Sequence, residues 1–132
     1  MIRKETQNCY CGREKSSEIC CSKIHEDIQL ATTAEDLMRS RYSAFVLANG
    51  EYLRQSWYGP TRPTQTEIKS IIDWATSVQW LKLEILSTQG GGIEDTTGQV
   101  EFKAYYLENG EENVIHENSK FVRENGVWVY WE

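Results

Sequence analysis

The chain has little positive charge and no long apolar run. Of its 132 residues, 14 are Lys or Arg and 20 are Asp or Glu, which gives a formal net charge of −6 at pH 7. A nucleic-acid-binding surface needs a basic face, so we expect no nucleic-acid partner. No apolar stretch approaches the roughly 20 residues that span a bilayer, so we expect no membrane partner either.

An export signal is also missing from the first residues. Residues 1–11, MIRKETQNCYC, lack the apolar core that a secretory signal carries. We therefore expect a cytoplasmic protein. In such a reducing compartment, thiols bind metal more readily than they form disulfides.

Cysteine is scarce but concentrated near the N-terminus. The four cysteines form the pattern C-x-C, eight residues, C-C, and they are Cys9, Cys11, Cys20 and Cys21. Thiolate is a soft ligand, and four thiolates suit Zn²⁺ in a closed structural site. Adjacent ligands can share a metal only if the backbone turns sharply, and Gly12 provides freedom for one such turn. The pattern predicts a zinc knuckle at residues 1–24 whose folding depends on its metal.

Other interpretations of the cysteines remain open at the level of sequence. The four thiols could be unrelated, or they could form two disulfides, although a bond between neighbours Cys20 and Cys21 would be strained. His25 could replace one cysteine, but it lies four residues beyond the cluster and we interpret it as a surface histidine. Four protein thiolates leave no open coordination position, so a catalytic zinc is not expected.

The cysteine segment resembles a known motif. Cys9-Tyr10-Cys11-Gly12 followed after eight residues by Cys20-Cys21 is similar in spacing to the SEC-C zinc motif, found at the C-terminus of the SecA translocation ATPase and in many small bacterial proteins. The resemblance implies that all four cysteines are zinc ligands. The motif usually has a lysine-rich middle where this chain has acidic residues and serines, so we do not transfer the basic partner-binding surface of that family.

Three helices are predicted in the first half of the remaining chain. Thr32 and Glu35 form a capping box that begins a helix of about sixteen residues, which Gly50 ends. A short second helix is predicted over 51–57. A second capping box, Thr64-x-x-Glu67, begins the third helix.

From residue 78 onward the apolar residues recur with a period of two, which predicts strands. The glycine run 90–92 begins a loop, and Asn109-Gly110 and Asn125-Gly126 are hairpin signals. Four strands joined in this way form an antiparallel meander, with the helices packed on one face. The last strand is apolar on both sides, which predicts a central position or a cover provided by the knuckle or a second copy.

The whole arrangement resembles a known combination of domains. The order of three helices followed by four strands is similar to that of an NTF2-like cone, and so is the residue pattern of the segment 116–130. The segment 37–45, LMRSRYSAF, lies just after the cysteines and resembles the bacterial YchJ family, which joins SEC-C motifs to an NTF2-like domain. The resemblance implies an α+β fold in which three helices pack on a curved antiparallel sheet. The implied domains are a zinc knuckle at 1–24 and an NTF2-like domain at 30–132.

NTF2-like cones often enclose a pocket between the sheet and the long helix. The candidate pocket residues are Arg41, Tyr42, Trp57, Glu117 and Ser119. Arg41 lies within an apolar stripe and needs either a carboxylate, for which Glu117 is the predicted partner, or a ligand anion. His116 and Glu117 point to opposite faces of their strand, so no catalytic dyad is predicted.

The predicted function is recognition of a partner protein or a small ligand by a protein with a structural zinc. The alternative is a small-molecule-binding protein or enzyme that uses the cavity of the cone. A homodimer through the last strand also remains open. A cavity of several hundred Å³ on which Arg41, Glu117 and Ser119 converge would favour the alternative. A cone filled by large aromatic residues would favour the first function.

Overall fold

A computed structural model describes residues 8–132. Residues 1–7 lie outside the described residues, and they include part of the predicted knuckle and part of the segment in which an export signal was sought. Four α-helices precede a four-stranded antiparallel sheet. The helices are α1 Cys21–Glu26, α2 Ala34–Val46, α3 Gly50–Gln55 and α4 Gln65–Ser77, and the strands are β1 Gln79–Gly90, β2 Thr97–Glu108, β3 Glu111–Glu124 and β4 Val127–Tyr130. The predicted α+β fold is confirmed. Within the described range, no helix is both long and apolar enough to cross a membrane.

Side-chain caps determine where the two long helices begin. At α4 the predicted capping box forms: the Thr64 hydroxyl accepts from the Glu67 N–H at 3.1 Å, and the Glu67 carboxylate accepts from the Thr64 N–H at 2.8 Å. α2 is capped one residue later than predicted, by Thr33, whose hydroxyl accepts from the Asp36 N–H at 3.0 Å. α2 also ends before Gly50, because Ala48 adopts a left-handed conformation with φ of 57°.

The sheet is a meander in the order β1-β2-β3-β4. Both predicted Asn-Gly turns form, with Asn109 and Asn125 in the left-handed region at φ of 54° and 55°. The β2–β3 register pairs Phe102 with Glu117, which places Glu117 on the inner face as the period of two predicts. Two shifts of register between β1 and β2 allow the sheet to curve around the helices.

The position of β4 differs from the prediction. It is an edge strand rather than a central one, and the segment that follows α3 pairs with its outer edge at Tyr130. The Tyr130 N–H donates to the Ser56 carbonyl at 2.7 Å, and the Tyr58 N–H donates to the Tyr130 carbonyl at 2.8 Å. Residues 56–58 therefore pair the N–H and the carbonyl of Tyr130 as a neighbouring strand would.

Large aromatic side chains fill most of the cone. Trp128 and Phe121 are fully buried, and Phe102 is buried beside them. The indole N–H of Trp128 donates to the Thr32 carbonyl at 3.2 Å, so burial of this group leaves no unpaired donor. This packing holds β3 and β4 against the start of α2.

The glycine loop after β1 is fixed by contact with α2 and is not simply a connection between two strands. The Ala34 N–H donates to the Gly91 carbonyl at 2.9 Å. A Cβ atom on Gly91 would lie only 2.7 Å from the Ala34 Cβ atom, and Gly91 has a positive φ of 75°. Gly91 is therefore required by both conformation and space.

Candidate metal centre

The four cysteine sulfurs lie together in the structure. All four Sγ atoms are within 4.8 Å of one another. The Sγ atom of Cys20 is 3.6 Å from that of Cys11 and 4.0 Å from that of Cys21. Tetrahedral zinc with Zn–S bonds of about 2.3 Å places its sulfurs about 3.8 Å apart. All four cysteines are buried free thiols, so the donor set and its spacing fit one divalent metal ion.

Two turns of the backbone bring these sulfurs to one point. The Cys9 N–H donates to the Lys15 carbonyl at 2.8 Å, and the Gly12 N–H donates to the Cys9 carbonyl at 3.1 Å. Gly12 has a φ of 98°, a conformation that favours glycine. The second turn lies at Cys20, which immediately precedes α1 and has φ of −119° and ψ of −111°. This turn allows the adjacent Cys20 and Cys21 to direct both side chains at the same site.

The sulfurs cannot all carry charge without a cation between them. Hydrogen bonding from the Cys21 thiol lowers the pKa of Cys11 to about 5. The same contact, together with burial, raises the pKa of Cys21. Burial raises the pKa of Cys20 to about 11. The cluster without metal therefore favours a thiolate at Cys11 and thiols at Cys20 and Cys21, and a divalent ion is what would ionise them together.

One face of α2 holds the cysteine segment in place. The Arg39 guanidinium donates to the Cys11 carbonyl at 2.6 Å and to the Glu35 carboxylate at 2.8 Å. The Ser43 hydroxyl lies 3.6 Å from the Cys9 sulfur. These contacts were not predicted, although the spacing of four between Glu35, Arg39 and Ser43 is the signal of a single polar helix face.

His25 is not the surface histidine that the sequence suggested. Its imidazole is half-buried, and the Nε2 N–H donates to the Ser40 carbonyl at 2.8 Å. The ring lies 4.4 Å from the ring of Tyr52, and the Asn49 amide donates to its Nδ1 at 3.4 Å. His25 therefore joins α1 to α2 and α3 and is outside the cysteine group.

We expect His25 to make stability depend on pH. Burial lowers the pKa of His25 below its ordinary value, so the unfolded chain binds a proton more readily than the folded one. The neutral, buried imidazole of His25 contributes its full stabilisation above about pH 6.5, the pKa of histidine in the unfolded chain. This stabilisation is lost as the pH falls through the lower pKa of His25 in the folded protein. An NMR titration should give His25 a pKa below about 6.5.

The effect of His25 on stability can be separated from protonation of the cysteines with the variant His25→Gln, which keeps all four cysteines. The wild type should lose more stability than His25→Gln between pH 7.5 and 5.5 in denaturant unfolding. A His25 pKa at or above its unfolded value would contradict the prediction.

Arg41 has different partners from the predicted one. It is fully buried, and its guanidinium donates to the Leu53 carbonyl at 3.0 Å and to the Ser56 hydroxyl at 2.6 Å. The Trp57 and Tyr130 rings lie on it at 5.0 and 4.8 Å. The predicted ion pair with Glu117 is not formed. Burial lowers the pKa of Arg41 to about 10, so the guanidinium is still charged at neutral pH.

The cone contains a cavity of about 130 Å³ between α2, α4 and the sheet. Of the predicted pocket residues, Tyr42 and Glu117 line it, and the buried Ser119 donates its hydroxyl to the Glu117 carboxylate at 3.4 Å. Arg41 and Trp57 are not part of its lining. Four further aromatic residues of the wall were not among the predicted pocket residues, and they are Phe45, Trp74, Trp80 and Phe102.

Comparison with known proteins finds one matching family model and relatives that share most of this chain. The family model described as "YchJ, middle NTF2-like domain" matches residues 33–132. The UPF0225 protein SCO1677 of Streptomyces coelicolor is 42% identical over 125 residues, which cover 95% of this chain and 93% of the relative. The UPF0225 protein Cgl1438/cg1626 of Corynebacterium glutamicum is 40% identical over 94% of each chain.

Solved structures extend the likeness through the cysteine segment. The solution structure of RPA3114, a SEC-C motif containing protein from Rhodopseudomonas palustris, matches with a TM-score of 0.84 at 29% identity and covers 96% of both chains. The crystal structure of a SEC-C motif containing protein from Psychrobacter arcticus matches with a TM-score of 0.79 at 30% identity, over 96% of this chain and 81% of that one.

Proposed function

This chain belongs to the YchJ family, and on that basis we propose that it holds one structural zinc ion at its four cysteines and recognises a small ligand in its NTF2-like cavity. The observation that carries the proposal is the group of four buried sulfurs within 4.8 Å of one another. A reducing cytoplasm is the compartment we propose, because it keeps such thiols available to metal.

The donor set supports zinc in a structural role. Four sulfurs in a compact arrangement suit tetrahedral Zn²⁺, and no coordination position is left open for a substrate. The Zn²⁺ would neutralise the thiolates that burial otherwise disfavours. Because the segment is bound to α2 through Arg39 and Ser43, the metal would hold the N-terminal segment against the cone.

The cavity of about 130 Å³ is below the several hundred Å³ that would favour the cavity-based alternative, and Arg41 does not line it, so it supports recognition of a small ligand only. Its wall is mainly aromatic and contains the carboxylate of Glu117, the combination of apolar surface and a few polar groups that small-molecule sites use. The predicted alternative of an enzyme receives no further support, because His116 and Glu117 lie on opposite faces of β3.

The surface of the cysteine segment favours a second candidate, recognition of a protein partner. A groove of about 240 Å³ exposes Ile19 and Leu30 next to Lys15 and Lys23. Apolar side chains flanked by lysines would suit an acidic peptide segment. A second copy of the chain is a further proposed partner.

Native mass spectrometry of protein prepared without chelator tests these proposals together. We expect one zinc ion per chain, loss of the zinc in Cys21→Ser, and retention in His25→Gln, which changes the histidine nearest in sequence. The same spectrum reports a retained ligand and the number of subunits. A metal-free chain, lighter by the hydrogens lost when disulfides form, would overturn the zinc site.

A further inference from the structure

The cavity of the cone combines aromatic walls with a carboxylate. Aromatic side chains from α2, α4, β1 and β2 surround it, and Glu117 of β3 is the charged residue of its lining. Within the part of the chain that the structure describes, no salt bridge engages Glu117. Arg41 forms no ion pair with it, since the guanidinium packs against the rings of Trp57 and Tyr130.

The aromatic walls are fixed before any ligand binds. The indole N–H of Trp80 donates to the Ala75 carbonyl at 3.1 Å, which sets the orientation of its ring. Trp74 meets Trp80 edge-on with the ring centres 5.6 Å apart, and Tyr42 does so at 5.8 Å. Rings held by packing lose little freedom when a ligand arrives, which favours binding.

The carboxylate is also positioned. The Ser119 hydroxyl, which is buried, donates to Glu117 at 3.4 Å. The register places Glu117 opposite Phe102, so its side chain leaves the sheet on the same face as the aromatic wall. A carboxylate attracts positive charge, and so do the electron-rich faces of aromatic rings, and this cavity brings both kinds of group together.

We infer that this cavity binds a small organic cation, a molecule with an alkylated ammonium group whose charge lies against the aromatic rings and is paired with Glu117. The inference rests on the proposed role of the cavity in ligand recognition. The volume of about 130 Å³ is close to the roughly 150 Å³ apolar cavity that holds a benzene molecule. It suits a head group of that size and is too small for a drug-sized ligand. The net charge of −6 favours the approach of a cation.

The test compares choline with 3,3-dimethylbutan-1-ol, a neutral molecule of the same shape in which carbon replaces nitrogen. Binding to the zinc-loaded full chain is followed by the NMR signals of the Trp74 and Trp80 indoles. We expect choline to shift both signals and to bind about tenfold more tightly than the neutral alcohol.

Two charge-matched variants locate the effect. Glu117→Gln should weaken choline binding about tenfold and leave binding of the alcohol unchanged. Glu112→Gln makes the same change of charge in an exposed position on the outer face and should leave both affinities unchanged. Because Glu117 is itself exposed at the rim, Glu117→Gln should fold normally.

Three results would overturn the inference. Equal affinity for choline and the alcohol would show an apolar ligand site, so ligand recognition would survive without the cation. No shift with either compound would reject this ligand class, and ligand recognition itself would fail if native mass spectra also showed no retained molecule. Indole signals that change with protein concentration instead would identify a second copy as the occupant.

Discussion

Replacing Cys11 with serine is expected to remove the metal and lower the stability of the whole domain by about 3 kcal/mol or more. Cys11 is completely buried, and its sulfur accepts from Cys21 within the cluster. A ligand that binds only the folded state stabilises it by about 2.7 kcal/mol when its free concentration is a hundred times the dissociation constant, and by more as affinity rises. Structural zinc binds tightly enough to exceed that ratio.

The effect should extend beyond the cysteine segment, because α1 contributes to the main core. Ile24 of α1 and Ile28, which lies two residues after α1, are buried in that core with Leu37 of α2. Loss of the knuckle therefore exposes apolar surface of the cone itself. We expect the melting temperature to fall by about 10 °C or more and amide exchange to become fast over residues 8–26.

The matched control for this result is Ser43→Ala. It removes the hydroxyl 3.6 Å from the Cys9 sulfur but leaves all four ligands, so it should retain zinc and cost about 1 kcal/mol or less. Chelation of the wild-type protein should reproduce the Cys11→Ser phenotype. A Cys11→Ser protein that melts with the wild type would exclude a stabilising metal at this site.

Replacing Arg41 with alanine is expected to cost about 3 kcal/mol or more of stability. The change removes the donor to the Leu53 carbonyl and the Ser56 hydroxyl. It also empties the space against the rings of Trp57 and Tyr130, where the guanidinium joins α2 to β4 and to the segment after α3. Denaturant unfolding at neutral pH, where Arg41 is charged, measures the loss.

Two further variants identify what Arg41 contributes. Arg62→Ala removes an exposed arginine that donates to the Trp57 carbonyl, so it should change stability by about 0.5 kcal/mol or less. Arg41→Met refills the space without charge and should recover much of the loss if packing dominates, because an apolar residue avoids the desolvation cost of a buried cation. Equal stabilities for Arg41→Ala and Arg62→Ala would contradict the structural role.

Patterns confined to a few consecutive residues were sufficient to predict many features of this structure. The spacing of the cysteines, the capping box of Thr64 and the Asn-Gly turns each depend on local chemistry, and the structure contains all three features. The period of two placed Glu117 and Ser119 on the inner face of β3, since alternation is a property of the strand itself. The helix α1 was missed because six residues are too few to show a period.

Other features depended on residues distant in sequence, and only the tertiary structure decided them. Glu117 was the predicted partner for a buried arginine, but Arg41 packs against Trp57 and Tyr130 because the edge of β4 meets the segment after α3. His25 is enclosed because α1 packs against two other helices, which contribute Ser40 and Tyr52. Sequence alone thus determined the clustering of the cysteines and the order of the elements from α2 onward, because short-range geometry governs both. The partners of each buried charge came from how the helices and the sheet edge pack.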